Sequence, residues 1–228
     1  MVDATGTSAV ERLLRARGFI FDMDGVLVDS EPLHFEAYKS LIGSFGGDYD
    51  EEFNSRFLGR RDIEIAPTVI ETFSLPHSPE EFVQEKDLIF YELIKTKACA
   101  LPGVLEALKA ANQLGLKTAI ASSSKMTTID LIVDTLDIRL YFNSLTSGDH
   151  VKRGKPEPDI FLLAAEKLTV APQNCLVIED TDHGVQAAKG AGMHCIAIPC
   201  TATLHQKHEG ADARLSSMVE LDLVRFIR

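Results

Sequence analysis

From about residue 101 the apolar positions alternate between two periods. Residues 102–114 carry helical spacing with Gly115 as C-cap, and 117–121 read as a short apolar strand. The pattern then predicts a helix near 125–136, a strand near 141–145 and a helix over 156–168. A strand at 175–178, a helix over 183–191 and a strand at 194–198 complete it. A further apolar run, Gly18-Phe19-Ile20-Phe21, stands alone near the start. Helix and strand in regular alternation imply βαβ units and a parallel sheet covered on both faces. The expected fold class is α/β, a doubly wound parallel sheet.

Residues 32–99 break this rhythm, with helical stretches and no convincing strand. Ser78-Pro79-Glu80-Glu81 has the pattern of a capping box, with serine as N-cap, proline at the first helical position and glutamate closing the box. Pro67 lies in an otherwise helical stretch, which is expected to be kinked or to start there. The expected organisation is a core domain at 17–31 and 100–228, with an all-helical domain at 32–99 inserted after the first strand.

Composition narrows the partners. With 45% hydrophobic residues and 25% charged, the chain has the make-up of a soluble globular protein. Its 23 Lys and Arg against 34 Asp and Glu give a net charge of −11, which disfavours nucleic acid and anionic membrane surfaces. A small anionic substrate needs only a few local cations and stays compatible. The four cysteines have neither C-x-x-C nor zinc spacing, so reduced thiols in a cytoplasmic setting are expected. No apolar run is long enough to span a membrane. The first 17 residues mix Arg12, Arg15 and Arg17 with Asp3 and Glu11 and lack an apolar core, so a secretory signal is not expected; an organellar transit peptide stays open.

The chemistry begins at Asp22-Met23-Asp24-Gly25, directly after the first apolar run. Alternation along an extended backbone lets both carboxylates reach one cavity, and a divalent cation is the usual reason for two to coexist there. An EF-hand loop would need glycine sixth and further oxygen ligands, whereas here glycine is fourth and Val26-Leu27-Val28 follows. Ligands of open parallel sheets bind beyond the carboxyl ends of the strands. Asp22 and Asp24, Ser122-Ser123-Ser124 and Glu179-Asp180 all fall at such ends, and Lys155 lies in a loop opening a helix. One of the serines is expected to cap the following helix. Four acids, one lysine and a hydroxyl-rich turn suit Mg²⁺ and a substrate phosphate, hence metal-assisted phosphoryl transfer.

Four motifs carry a resemblance: Phe-Asp-Met-Asp-Gly-Val-Leu-Val-Asp-Ser at 21–30, Ala-Ser-Ser-Ser-Lys at 121–125, Gly-Lys-Pro-Glu-Pro-Asp at 154–159 and Ile-Glu-Asp-Thr-Asp-His-Gly at 178–184. From about residue 18 to 218 the chain resembles the haloacid dehalogenase-like (HAD) hydrolase superfamily, in particular its helical-cap phosphatase and beta-phosphoglucomutase-like subgroup. The resemblance implies a Rossmann-like core with a small helical cap domain and a Mg²⁺-dependent phosphatase. Asp22 would be the nucleophile, forming a phosphoaspartate, and Asp24 the general acid and then base. Asp22, the Asp24 carbonyl and Asp180 would ligate Mg²⁺, with Glu179 as a ligand or beside them. Ser122 and Lys155 would hold the transferring phosphoryl group, with Gly25 and Ser123 as further phosphate contacts. Thr181 stands where the family more often has serine. Asp182 and His183 read equally as supporting contacts or as a solvated helix N-terminus.

The stretch Asp29-Ser30-Glu31-Pro32-Leu33-His34 resembles the hinge of beta-phosphoglucomutase, which implies a substrate-side role for His34. There the family pattern has an arginine three residues after the glycine of Leu58-Gly59, where this chain has Asp62. Arg60, Arg61 and Lys86 are candidate cap cations, each also readable as a surface charge. The expected function is hydrolysis of a small phosphorylated metabolite, a sugar phosphate or nucleoside monophosphate, by a monomer or weak dimer. A phosphosugar mutase and a non-catalytic phosphometabolite-binding protein are the alternatives.

Overall fold

The computed structural model describes residues 16–57 and 62–221. They fall into two compact units that part at Asp29 and Ser30 and again at Ala98 and Cys99.

The first unit is built on a six-stranded parallel sheet in the order β3-β2-β1-β4-β5-β6. Its strands are β1 Gly18–Phe21, β2 Lys117–Ser122, β3 Ser144–Ser147, β4 Cys175–Glu179, β5 His194–Ala197 and β6 Ala213–Arg214. β1 is central: Gly18 pairs with Lys117 on one side and with Cys175 on the other. Every residue of β1 and β4 is buried, which is why β1 and the first four residues of β4 read as apolar runs. On one face Ile20, Ala119 and Val177 pack with Phe161, Ala164 and Val185 in a single core.

Three predicted elements begin two or three residues later than expected. The strand expected near 141–145 is Ser144–Ser147, because Arg139–Tyr141 forms a 3₁₀ turn. Asn143 sets that register: its side-chain oxygen accepts from Thr118 N, and its own N–H donates to Thr118 O. The helix expected from 156 begins at Asp159, and the one expected from 102 begins at Val104. β6 was not anticipated, being only two residues long.

The second unit contains helices α1 Glu31–Ser44, α2 Glu51–Ser55, α3 Asp62–Phe73 and α4 Pro79–Lys97, with no strand among its described residues. Tyr38, Ile42, Tyr49, Val69 and Phe82 belong to its core. The capping box forms as the sequence implies: Glu81 N donates to Ser78 Oγ at 3.3 Å, and Ser78 N to Glu81 Oε2 at 2.9 Å. Pro67 does not begin its helix; α3 already includes Asp62 and runs through it. No helix among the described residues is long and apolar enough to cross a membrane.

Candidate active site

The end of β1 sets the site. Asp22 N donates to Ile178 O at 3.0 Å, extending the ladder with β4 by one step. The chain then turns back on itself, with the N–H groups of Leu27 and Val28 both donating to Met23 O. That turn buries Met23, Val26, Leu27 and Val28 and leaves the two aspartates on the polar side. Gly25 has φ +79, and a Cβ there would run into the Asp180 carboxylate and lie 3.1 Å from Cys200 Sγ. Only glycine gives both this backbone and this approach.

Lys155 ties the acids together. Its Nζ donates to Asp22 Oδ1 at 2.5 Å and to Glu179 Oε1 at 2.6 Å. The other oxygen of Glu179 accepts from Asp180 N (2.8 Å), Thr181 N (2.9 Å) and Thr181 Oγ1 (3.0 Å). Thr181 Oγ1 also accepts from Gly184 N at 3.0 Å, capping the helix Asp182–Gly190. The threonine thus does the work expected of a serine. Asp24 faces the end of β2, where its Oδ2 accepts from Ser124 Oγ at 2.8 Å and Ser122 Oγ at 3.3 Å.

Side-chain oxygens of Asp22, Glu179 and Asp180 lie within 4.8 Å of one another, all on buried residues. Asp180 Oδ1 has no hydrogen-bond partner. Burial first, then the neighbouring Glu179, Asp180 and Asp24, hold the Asp22 carboxyl well above its usual range, against the charge of Lys155. Burial and Glu179 likewise push Asp180 up to about 7, against hydrogen bonds from Cys200 and Thr203 and the charge of Lys155. Burial would pull the Lys155 ammonium down, but Asp22 and Glu179 outweigh it and hold it above the usual lysine range. Burial is the first cause of both carboxylate shifts, and the excess of negative charge around a single cation adds to it. Three buried carboxylates, one orphaned oxygen and hard donors only are the setting a divalent cation such as Mg²⁺ fits.

Six predicted residues therefore meet: Asp22, Asp24, Ser122, Lys155, Glu179 and Asp180. Ser123 is exposed at the turn, and Ser124, beside it, makes the shorter contact to Asp24. None of the three serines caps the next helix. Its N-cap is Lys125, and Met126 N donates instead to Asp149 Oδ2 at 2.9 Å, a partner from the loop after β3. Ser147 Oγ donates to Ser124 O at 2.7 Å and fixes the serine turn. Asp182 is held by the segment after β5: its Oδ1 accepts from His208 N, and its N–H donates to Gln206 Oε1, each at 2.6 Å.

The remaining candidates belong to the helical unit. Arg60 and Arg61 lie outside the described residues. Lys86 is fully buried, which corrects its reading as a surface charge. Its ammonium pairs with Asp62 and with Asp87 (3.1 Å), and lies 3.2 Å from His34 Nδ1. Tyr38 Oη donates to the other Asp62 oxygen at 2.7 Å. The His34 ring stacks on Phe90 at 3.8 Å.

The chain has similar counterparts among known proteins. A family model described as haloacid dehalogenase-like hydrolase matches residues 16–192. The chain is 41% identical over 181 residues to a phosphorylated carbohydrates phosphatase of Thermotoga maritima, covering 78% of this chain and 82% of that protein. It is 33% identical over 185 residues to a fructose-1-phosphate phosphatase of Escherichia coli, covering 81% and 97%. Among solved structures it resembles CbbY from Rhodobacter sphaeroides in complex with phosphate, with TM-score 0.79, 28% identity and coverage of 91% and 96%.

Proposed function

Because the chain belongs to the haloacid dehalogenase-like hydrolase family, we propose that it is a Mg²⁺-dependent phosphatase of a small phosphomonoester, a sugar phosphate or a nucleoside monophosphate. The observation that carries this reading is the convergence of Asp22, Asp24, Ser122, Glu179 and Asp180, at the carboxyl ends of three adjacent strands, with Lys155 from a loop. Relatives that act on phosphorylated carbohydrates and on fructose 1-phosphate favour the sugar phosphates.

In this mechanism Asp22 attacks phosphorus in line and becomes a phosphoaspartate. Lys155, already bridging Asp22 and Glu179, offsets charge on the nucleophile and on the phosphoryl oxygens. Asp24 gives a proton to the departing alcohol and then takes one from the hydrolytic water. Ser122 and Ser124 hold the Asp24 carboxylate in place. Asp22, Asp180 and the Asp24 carbonyl would hold Mg²⁺, with Glu179 beside them. Bound there, the ion supplies positive charge that lets acids and a phosphate share one site. Residues 17–31 and 100–228 form the core domain in this reading, and the helical domain at 32–99 is the cap that selects the leaving group. The four free cysteines support a reducing, cytoplasmic setting.

The test is phosphate release from a panel of sugar phosphates and nucleotides, in Mg²⁺ and in EDTA. The proposal expects release from a few related sugar phosphates, lost with EDTA. Conversion of beta-glucose 1-phosphate to glucose 6-phosphate only with a bisphosphate primer would make the protein a mutase. No metal-dependent turnover on any ester would make it a binding protein.

A further inference from the structure

Asp180 is gripped by a segment that no motif marks. Thr203 Oγ1 donates to Asp180 Oδ2 at 3.1 Å, and Cys200 Sγ donates to the same oxygen at 3.3 Å. His208 Nε2 lies 2.6 Å from the Asp180 carbonyl. A carbonyl only accepts, so Nε2 carries the proton. The segment is braced in turn. Cys200 N donates to Thr203 Oγ1 at 3.0 Å; of the acceptors within reach of that hydroxyl's proton, Asp180 Oδ2 at 3.1 Å is nearer than Cys200 O at 3.3 Å and Cys200 Sγ at 3.5 Å, and Gln206 and His208 hold Asp182 as described. Thr203 and His208 are buried, at 7% and 4% exposure.

The two oxygens of Asp180 therefore differ. Oδ2 has two donors and is packed against Gly25. Oδ1 is buried and has no hydrogen-bond partner. An ionised oxygen left so is costly unless a cation meets it. We infer that Thr203 and Cys200 are positioning residues for cation binding, fixing the Asp180 carboxylate by Oδ2 so that Oδ1 is the oxygen offered to the metal. Ligand carboxylates are themselves commonly held by hydrogen bonds from outside the ligand set, and loss of such partners costs about 10- to 100-fold in metal affinity. The inference rests on the reading of Asp180 as a cation ligand, and its test separates the two.

Mn²⁺ binding is titrated by electron paramagnetic resonance on full-length protein, which reads affinity without turnover. The variants are Asp180→Asn, Thr203→Val, Thr203→Val with Cys200→Ala, and Thr203→Ser with Cys200→Ser. Thr203→Val keeps the side-chain shape and removes only the hydroxyl, so it carries the test if the double variant does not fold. Unfolding midpoints in EDTA report on folding independently of metal. We expect one tight Mn²⁺ site in the wild type, lost in Asp180→Asn. Affinity should fall about 10- to 100-fold in the valine–alanine pair, with the serine pair close to wild type because both hydroxyls still donate. Wild-type affinity in the valine–alanine pair, with Asp180→Asn still deficient, would overturn the positioning role alone. A wild type that binds no Mn²⁺, or an Asp180→Asn protein that binds it equally well, would overturn the cation reading itself.

Discussion

Lys155 and Asp22, 133 positions apart in the chain, meet at 2.5 Å between Nζ and Oδ1. The same ammonium reaches Glu179, so one buried cation holds two acids that would otherwise repel. Lys155→Met should leave both uncompensated and lower stability by about 3–5 kcal/mol in metal-free buffer. Adding Asp22→Asn removes one of the stranded charges and should recover part of that loss. Urea unfolding of wild type, single and double variants measures it; a double variant no more stable than Lys155→Met would contradict the charge argument.

Asp22→Asn on its own preserves the shape of the side chain and removes its nucleophilic charge. Turnover should fall about a thousandfold or more with an unchanged far-ultraviolet circular dichroism spectrum. Substantial phosphate release by this variant would exclude Asp22 as the attacking group.

Asp62 predicts an acid limb to stability. Burial alone would raise its carboxyl, but the charges of Lys86 and His34 and the hydrogen bonds from Lys86 and Tyr38 outweigh it and hold the group below its usual range. A carboxyl depressed in the folded state stabilises above its unfolded pKa and loses that contribution as pH falls through the folded value. Asp62→Asn should cost on the order of 1–3 kcal/mol at neutral pH, and the gap to wild type should narrow as pH falls below the ordinary carboxylate range. A gap independent of pH in urea unfolding would show that Asp62 contributes through packing rather than charge.

Gly184 gives a steric prediction. A methyl group there would overlap the Glu179 carboxylate, which cannot yield because Lys155, Asp180 N and Thr181 already hold it. Gly184→Ala should lower stability by about 1–3 kcal/mol and reduce phosphate release along with it. Unchanged unfolding midpoint and rate would mean that the Glu179 cradle is softer than its contacts imply.

The parts of the fold that were legible follow from burial. β1 and β4 are covered on both faces, so their apolar runs could be read directly. β3 is polar, Ser144-Leu145-Thr146-Ser147, and the more apolar Leu140-Tyr141-Phe142 just before it drew the expected strand upstream. β6 is too short to leave a pattern. In the site, the acids and Lys155 sit in contiguous motifs and were found. Cys200, Thr203 and His208 were not, because their contacts to Asp180 come from a segment some twenty to twenty-eight positions away and leave no spacing in the chain. Lys86 reads as a surface lysine by type; the pairing that buries it comes from Asp62, 24 positions away, and from the adjacent Asp87. The expected serine cap failed for a similar reason, since Asp149 arrives from another loop.

The central position of β1 has a consequence for biosynthesis. Gly18–Phe21 emerges from the ribosome long before Cys175–Glu179, the strand that covers one of its edges. Until then a wholly apolar strand lacks half its hydrogen bonds, a state that slows folding and invites association with chaperones or with other nascent chains. Asp22 meets Glu179 and Asp180 only when that pairing closes, so the acidic cluster is assembled only in chains whose first strand has gained both of its neighbours.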